Sequence, residues 1–337
     1  MTKKVIFRAD GSSTAGLGHL YRLFSLVETV KNTLEFVFIT HETSTNSVIP
    51  EEYNTVIIPK EINTLDEADW LQANFSSKEY IIIADGYQFT SSYQKQIKSK
   101  GYSLIYIDDL AKEHIYADVV INHSPYIQEK HYKKEVYSKL ALGTKFALLR
   151  PLFLKAAKKN RAVKELDSAF VCFGGADPFH LTLKAVQALL LFENFKSIHV
   201  VLGAAYLDEE IFNLEEKYGR KIKIYRNLSE KKLIETMEQC NFAIAPASTI
   251  LYELCCVQMP IFSGFYVDNQ ELIYKGFLNH KAIFEGGNME NYQVSDFVNG
   301  LKIIFENKEF NSQLEAQKIL FDDKITKRHL DLIKSLC

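Results

Sequence analysis

Residues 5–19 read VIFRADGSSTAGLGH, an apolar strand followed by a loop that ends in glycine, leucine, glycine and histidine. A patterned helix over residues 20–30 follows the loop. Gly16 and Gly18 let a backbone approach a bulky or charged ligand, because glycine has no side chain to block it. The start of the helix offers free N–H groups and the positive end of its dipole to an anion. We therefore predict a ligand site at this loop, with His19 as its reactive side chain.

The rest of the composition is typical of a globular protein of about two domains, with 337 residues and 47% hydrophobic residues. The formal net charge of −2 gives no basic field for nucleic acid or an anionic membrane. We expect no membrane span and no signal peptide, because no apolar run has the required length and pattern. We also expect reduced thiols and a cytoplasmic protein, since the cysteines form no C-x-x-C pair: Cys172, Cys240, Cys255, Cys256 and Cys337.

Buried-type strands alternate with helices through the first half of the chain. Runs rich in Val, Ile and Tyr predict parallel strands that are covered on both faces, at 4–8, 35–40, 55–58, 80–84, 103–107 and 119–121. Helices are predicted between them, including 20–31, 66–74 and 91–100. This alternation predicts a doubly wound α/β domain over residues 1–153.

The alternation restarts after a Lys- and Ala-rich segment at 154–165, which we interpret as a linker or a linking helix. Strands are predicted at 169–173, 197–202, 222–225, 242–245 and 260–263, with helices at 181–191, 209–218, 230–239 and 249–257. We predict a second α/β domain over 166–291 and a helical tail over 292–337. The fold class is thus α/β, with two Rossmann-like domains in tandem, and we expect the ligand in the cleft between the carboxyl ends of the two sheets.

Acidic residues end three predicted strands of the first domain. Asp10 ends the first strand, and we expect it to orient the His19 imidazole. Asp85 ends the fourth strand, two residues before Tyr87. The fifth strand ends in the pair Asp108-Asp109, which we interpret as turn residues.

Glycines and a helix start follow strands of the second domain. Gly174 and Gly175 suit the approach of a phosphate or a sugar, although a simple tight turn would also explain them. Ser248 and Thr249 are predicted to cap a helix whose free N–H groups could hold a diphosphate. Glu253, one turn further, suits ribose hydroxyls, although a solvated helix residue is the alternative.

The spacing of residues argues against two nucleotide-binding motifs and against a metal site. Residues 11–19 lack the Gly-Lys-Ser/Thr ending of a phosphate-binding loop. Tyr21 stands where a dinucleotide fingerprint has its third glycine, and its bulk opposes close packing of helix and strand. The other histidines are dispersed without H-x-x-x-H spacing, so we expect no metal site and no cofactor.

Short motifs across about four fifths of the chain resemble the UDP-sugar hydrolases of pseudaminic acid biosynthesis. Those enzymes act on UDP-2,4-diacetamido-2,4,6-trideoxy-β-L-altropyranose. The matching stretches combine acidic, glycine and hydroxyl residues at predicted strand ends: 8–12, Gly16-x-Gly18-His19 with Arg22, Asp85-x-Tyr87, 107–109, 117–122, 147–150, 174–177, 247–249 with Glu253, and Asn269-Gln270.

The resemblance implies a fold like that of the GT-B glycosyltransferases, including the peptidoglycan N-acetylglucosaminyltransferase. It implies no metal, and a nucleotide that is held mainly by the second domain. His19 matches the catalytic histidine, Tyr87 and Asn269 match the sugar and water site, and Glu253 matches the ribose-binding acid. By the same resemblance, further residues are expected at the substrate: Gly16, Gly18, Arg22, Gly174, Gly175, Asp177, Ser248, Thr249 and Gln270. Asn227 and Leu228 are also expected there, because they follow the third strand of the second domain.

The chain departs from that pattern at Ala15 and Tyr21, which could alter the fit of the sugar. Its tail after Tyr292 also looks longer than the family's usual end.

The predicted reaction is hydrolysis at the anomeric carbon, which releases UDP and the free sugar. His19 would accept a proton from water, and backbone N–H groups of the second domain would stabilise the departing diphosphate. The alternatives are a glycosyltransferase with a sugar acceptor, a nucleotide-sugar-binding protein without chemistry, and a dinucleotide-dependent enzyme. We expect a monomer whose small-molecule partner is a UDP-sugar.

Overall fold

The computed structural model describes residues 3–11, 17–175, 177–203, 205–306 and 310–337. The chain forms two compact units: unit 1 is Met1–Pro151 with Lys324–Cys337, and unit 2 is Leu152–Asp323. The strands are β1 (Lys4–Ala9), β2 (Phe36–His41), β3 (Thr55–Ile58), β4 (Tyr80–Asp85), β5 (Leu104–Ile107), β6 (His114–Ile115), β7 (Val119–Asn122), β8 (Lys133–Lys134), β9 (Lys139–Leu142), β10 (Ser168–Val171), β11 (Ser197–Leu202), β12 (Ile222–Arg226), β13 (Phe242–Pro246), β14 (Ile261–Phe265) and β15 (Phe284–Asn288). The α-helices are α1 (Gly18–Val30), α2 (Glu67–Asn74), α3 (Ser91–Ser99), α4 (Pro151–Ala156), α5 (Leu181–Leu190), α6 (Glu210–Tyr218), α7 (Glu230–Glu238), α8 (Thr249–Val257), α9 (Asp268–Asn279), α10 (Val294–Glu306), α11 (Phe310–Leu320) and α12 (Ile325–Lys334).

Unit 1 is built on a parallel sheet in the order β3-β2-β1-β4-β5-β7-β9. Every β1 residue from Val5 to Ala9 is buried, as expected of a parallel strand that is covered on both faces. Helix α1 packs Leu20, Leu23 and Val27 into the same core. The apolar run and the helical periodicity of the opening sequence therefore account for this unit's centre.

Unit 2 repeats the plan with a parallel sheet in the order β12-β11-β10-β13-β14-β15. Its core includes Val171, Ile244 and Phe262 from three neighbouring strands. The α/β fold class predicted from the sequence is confirmed.

The strand order of each sheet reverses beside its first strand. In unit 1, β1 lies between β2 and β4, and in unit 2, β10 lies between β11 and β13. Chain segments that leave two such strands diverge to opposite faces, which opens a crevice at their carboxyl ends. The loops after β1 and β4, and after β10 and β13, are therefore the places where a ligand would be expected.

Four short strands were not predicted: β6, β8, β9 and β15. Strand β15 has the sequence FEGGN, whose two glycines are atypical of a strand. Close packing explains Gly286, because a Cβ there would lie 2.7 Å from the Ser263 carbonyl oxygen. The segment predicted as a linker or linking helix contains the end of α4, followed by irregular chain up to β10.

The predicted helical tail forms α10, α11 and α12, of which α12 belongs to unit 1. Ile333 of α12 is fully buried in the unit 1 core. Among the described residues, no helix is long and apolar enough to cross a membrane.

Candidate functional site

His19 lies in the first turn of α1, and its ring contacts Asp85, the last residue of β4. Nδ1 of His19 is 2.7 Å from Oδ1 of Asp85, although the two residues are 66 positions apart. The Asp85 side chain is fully buried, and that of His19 is 13% exposed. Because β1 and β4 pair in parallel with Ala9 opposite Asp85, the end of β4 lies beside the loop that leads into α1.

The neighbours of Nδ1 determine where a neutral His19 carries its proton. An unprotonated Nδ1 would repel a carboxylate at 2.7 Å, so in the neutral ring Nδ1 carries the proton and donates a hydrogen bond to Asp85. Arg22 Nη2 lies 3.1 Å from Nδ1, but it donates to Asp85 Oδ1 at 2.5 Å. The lone pair of the neutral ring is therefore on Nε2, which can accept a proton from a nucleophile.

Arg22 is buried behind His19 and holds two carboxylates. Its Nε donates to Asp85 Oδ2 at 2.7 Å, and its Nη1 donates to Asp109. Burial alone would raise the pKa of Asp109, but the Arg22 charge outweighs burial and holds this pKa below its usual value. Arg22 was expected at the substrate, yet its guanidinium is occupied by these partners and positions Asp85.

Tyr87 packs edge-on against His19, with ring centroids 4.6 Å apart. Its hydroxyl donates to Asp109 Oδ2 at 3.2 Å. We refer to His19, Arg22, Asp85, Tyr87 and Asp109 as the His19 cluster. Asp85 holds the histidine ring directly, and Arg22 links Asp85 to Asp109.

Asp10 does not orient His19, contrary to the prediction. Its Oδ1 accepts hydrogen bonds from Arg8 at 2.5 Å, from Thr40 at 3.0 Å and from the His41 backbone at 2.7 Å. Burial favours a higher pKa for Asp10, but the Arg8 charge outweighs it and lowers the pKa. Asp85, at the end of the neighbouring strand β4, makes the contact with His19 that was expected of Asp10.

Asp108 and Asp109, the acidic pair after β5, have different roles. Asp108 accepts the backbone N–H of Ala111 at 2.8 Å, which is the turn role predicted for it. It also accepts the Tyr132 hydroxyl at 2.6 Å, and its burial raises its pKa. Asp109 belongs to the His19 cluster, which the sequence interpretation missed.

In unit 2, the loop after β10 contains the predicted Gly174 and Gly175. Gly174 has a φ of +86°, which favours glycine whatever binds there. Gly175 has no such φ, and a Cβ built on it would contact nothing within 4 Å. Gly203 after β11 packs under this loop, since a Cβ there would lie 2.3 Å from the carbonyl oxygens of both residues.

Asp177 follows the same loop, and its carboxylate caps α5. Oδ1 accepts the Leu181 N–H at 2.9 Å, and Oδ2 accepts the Thr182 N–H at 2.7 Å. The side chain is buried. Asp177 was expected at the substrate, but both of its oxygens are used by the helix start.

Helix α8 begins at Thr249, after the end of β13. Ser248 precedes the helix, but its side chain makes no capping hydrogen bond to the described residues, so the cap prediction is wrong. The first N–H groups of α8 are consequently free of a Ser248 cap. Glu253 lies in the next turn and is buried, with 4% of the residue exposed, so the solvated alternative is excluded.

The remaining predicted residues of unit 2 lie on two further segments. Asn227 has a φ of +51° and follows β12, with Leu228 next to it. Asn269 and Gln270 lie in the first turn of α9, where Asn269 is exposed and Gln270 is buried. The Gln270 side chain accepts the Tyr266 N–H at 3.1 Å. Their roles toward a ligand stay predictions.

The glycine loop of unit 1 is partly described. Gly16 lies outside the described residues, and Gly18 is the first residue of α1. No group of three or more potential metal ligands lies together in the described part of the chain.

Comparison with curated proteins identifies distant relatives. The chain is 29% identical to the uncharacterized protein MJ1062 of Methanocaldococcus jannaschii over 288 residues, which cover 82% of this chain and 58% of that protein. It is 27% identical over 274 residues to the UDP-2,4-diacetamido-2,4,6-trideoxy-beta-L-altropyranose hydrolase of Campylobacter jejuni, covering 80% of this chain and 93% of the enzyme. It is 24% identical to the spore coat polysaccharide biosynthesis protein SpsG of Bacillus subtilis, covering 83% and 82% of the two chains. No family model matches the chain.

Solved structures with the same fold include MurG of Acinetobacter baumannii, at a TM-score of 0.67 and 13% identity over 99% of both chains. HepE of Anabaena, solved with UDP-glucose, gives a TM-score of 0.58 at 14% identity over 99% of this chain and 100% of that one. The fold is therefore GT-B-like, and the chain is distantly related to a group that includes a UDP-sugar hydrolase and a polysaccharide biosynthesis protein.

Proposed function

We propose that this protein is a hydrolase that cleaves the anomeric C–O bond of a UDP-linked deoxy-acetamido sugar with water. The products would be UDP and a free sugar for the biosynthesis of a nonulosonic acid such as pseudaminic acid. The observation that carries the proposal is the contact between His19 Nδ1 and Asp85 at the switch point of the unit 1 sheet, which places the lone pair of a neutral ring on Nε2. The relation to the Campylobacter jejuni hydrolase supports the choice of substrate.

His19 would act as the general base. Its Nε2 would take a proton from water while the water oxygen forms a bond to the anomeric carbon and the bond to the diphosphate oxygen breaks. Asp85 would hold the ring orientation and stabilise the imidazolium that forms, as a carboxylate does beside other catalytic histidines. Tyr87 would restrict the ring from its exposed side.

Unit 2 would bind the nucleotide. The start of α8 offers N–H groups without a Ser248 cap, and the neighbouring loop carries Gly174 and Gly175. Backbone N–H groups at a helix start stabilise phosphate charge, and the same groups would stabilise UDP as it leaves. Glu253 in α8 would accept hydrogen bonds from the ribose. Asn269 would contact the water or the sugar.

Release of UDP from UDP-sugars without any acceptor tests the proposal. We expect wild-type protein to release UDP, and His19→Asn to lose at least about 100-fold in kcat while its Kd for UDP changes less than about twofold. Turnover of His19→Asn at the wild-type rate would exclude His19 as the base. Release that depends on an added sugar would instead indicate a glycosyltransferase, and tight UDP binding without turnover would indicate a binding protein.

A further inference from the structure

A cavity of about 490 Å³, lined by both polar and apolar atoms, lies in unit 1 beside His19. Loops at the carboxyl ends of β1, β2, β3 and β4 form its walls, so it extends from His19 across the sheet toward β3. A single water occupies about 30 Å³ in the liquid, so the cavity is far larger than an attacking water requires. Its volume is appropriate for a sugar-sized ligand.

Buried hydrogen bonds fix the inner wall of this cavity. Arg8 Nε and Nη2 each donate to Glu67 at 2.9 Å, and the Tyr93 hydroxyl donates to Glu67 at 2.6 Å. Arg8 and Glu67 are each only 2% exposed. These charges satisfy one another, so they form a rigid support for the wall and do not need a ligand.

His41 on another wall is also occupied. Its Nε2 donates to the Ile62 carbonyl at 3.1 Å, and its Nδ1 accepts the Thr43 hydroxyl at 2.7 Å. Both ring nitrogens are therefore used within the protein. The groups that can still form hydrogen bonds to a ligand lie elsewhere on the wall.

Three side chains of the cavity wall can still form hydrogen bonds to a ligand. Gln88 Nε2 donates to Asp10 Oδ2 at 3.0 Å, and this orients the Gln88 amide with its carbonyl oxygen still able to accept a hydrogen bond. Asp10 Oδ2 can accept a further hydrogen bond, since the Asp10 side chain is 26% exposed. Lys60 is exposed, and among the described residues its ammonium forms no hydrogen bond or ion pair.

Two acceptors and one ammonium donor that line the cavity match the substituents of an N-acylated sugar. Ring hydroxyls and an acylamino N–H can donate to Asp10 and Gln88, and an acyl carbonyl can accept from Lys60. A purely hydrophobic ligand would leave these polar groups unpaired, which is unfavourable.

We propose that this cavity is a sugar-binding pocket in which Gln88 and Lys60 select the ring substituents of an N-acylated pyranose. The link to the chemistry of His19 rests on the proposed function. The sugar can come from two sources: the UDP-sugar substrate itself, or a second sugar that accepts the transferred group.

Gln88→Leu and Lys60→Ala test the pocket, with Lys139→Ala as the matched control. Lys139 is an exposed lysine on β9, at the opposite edge of the same sheet. With the UDP-sugar that the wild type turns over, we expect each pocket variant to raise KM about tenfold, as for loss of one ligand hydrogen bond, with kcat and the Ki for UDP changed less than about threefold. The control should behave as wild type. An unchanged KM in both pocket variants would overturn the proposal.

Binding of the free sugar separates this proposal from the hydrolase function. Saturation-transfer NMR with 2,4-diacetamido-2,4,6-trideoxy-L-altropyranose should show binding to the wild type and to Lys139→Ala, and loss of binding in Gln88→Leu, even if no UDP-sugar is hydrolysed. A signal that is equal in all variants, or absent in the wild type, would overturn the pocket. Competition of the free sugar with the UDP-sugar identifies the substrate's own sugar as the occupant, whereas faster UDP release with a disaccharide product identifies an acceptor.

Discussion

At the scale of single residues, the geometry around His19 is set by a partner from a neighbouring strand. Asp85 accepts a hydrogen bond from Nδ1 of His19, Arg22 balances the charge of Asp85, and Asp109 holds Arg22. Each of these side chains depends on the next for its orientation. Changes in Asp85 should therefore affect the chemistry of His19 more than the binding of the nucleotide.

Asp85→Asn tests this dependence. The amide cannot stabilise the imidazolium and can favour the wrong ring tautomer, so we expect kcat to fall about 10²- to 10⁴-fold with little change in the Kd for UDP. Steady-state kinetics and calorimetric titration with UDP provide the measurements. Near-normal kcat in a folded Asp85→Asn protein would contradict the role given to Asp85.

Gly175→Ala distinguishes a phosphate-binding loop from a tight turn. The position has no left-handed φ, and an added Cβ meets no atom within 4 Å, so the fold does not require glycine there. We expect a melting temperature within about 2 °C of wild type, but a UDP affinity that is lower by about tenfold because the methyl group obstructs the diphosphate. Unchanged UDP affinity would show that the loop is only a turn.

At the scale of elements, α12 packs against unit 1 and carries a buried histidine, His329. His329 Nε2 donates to the Ala147 carbonyl at 3.1 Å, and His123 Nδ1 accepts the neighbouring Leu148 N–H at 3.3 Å. Burial lowers the pKa of both histidines to about 4, and the charge of Arg22 contributes for His123. Both rings are therefore neutral in the folded protein at neutral pH.

These pKa values predict that unit 1 loses stability in mild acid. The unfolded chain binds more protons than the folded one between pH 6.5 and about 4, so the free energy of unfolding falls as the pH falls through that window. His329→Gln removes one such group and should reduce the slope by up to about 1.4 kcal/mol per pH unit. Urea unfolding followed by fluorescence of Trp70, the single tryptophan and a residue of α2, measures it. An unaltered slope in His329→Gln would exclude His329 as a contributor.

Much of the element pattern could be predicted from sequence, because buried parallel strands are apolar throughout and the helices between them are periodic. β15 could not, since Gly286 is required by its close contact with Ser263 of β14, and two adjacent glycines look like a turn in isolation. His19 was predicted from its loop, but its partner Asp85 was not, because the contact depends on the pairing of β1 with β4 across 66 residues. Knowledge that these two strands are neighbours would have been sufficient to find it.

At the scale of the whole molecule, two α/β units of similar plan lie in one chain, and each carries its candidate residues at the switch point of its own sheet. The proposal divides the reaction between them: unit 2 would hold UDP, and unit 1 would supply the base and the sugar pocket. His19→Asn should therefore leave nucleotide binding intact, and Gly175→Ala should leave the function of the His19 base intact.

Hydrolysis in ¹⁸O-labelled water tests the central claim most directly. Wild-type protein is incubated with UDP-2,4-diacetamido-2,4,6-trideoxy-β-L-altropyranose without an acceptor, and the products are analysed by mass spectrometry. Attack of water on the anomeric carbon predicts one ¹⁸O atom in the sugar released by the wild type and none in UDP. His19→Asn, incubated for the same time, should give no labelled sugar and no labelled UDP. Incorporation of ¹⁸O into UDP, or unlabelled UDP release at an equal rate from His19→Asn, would contradict the account.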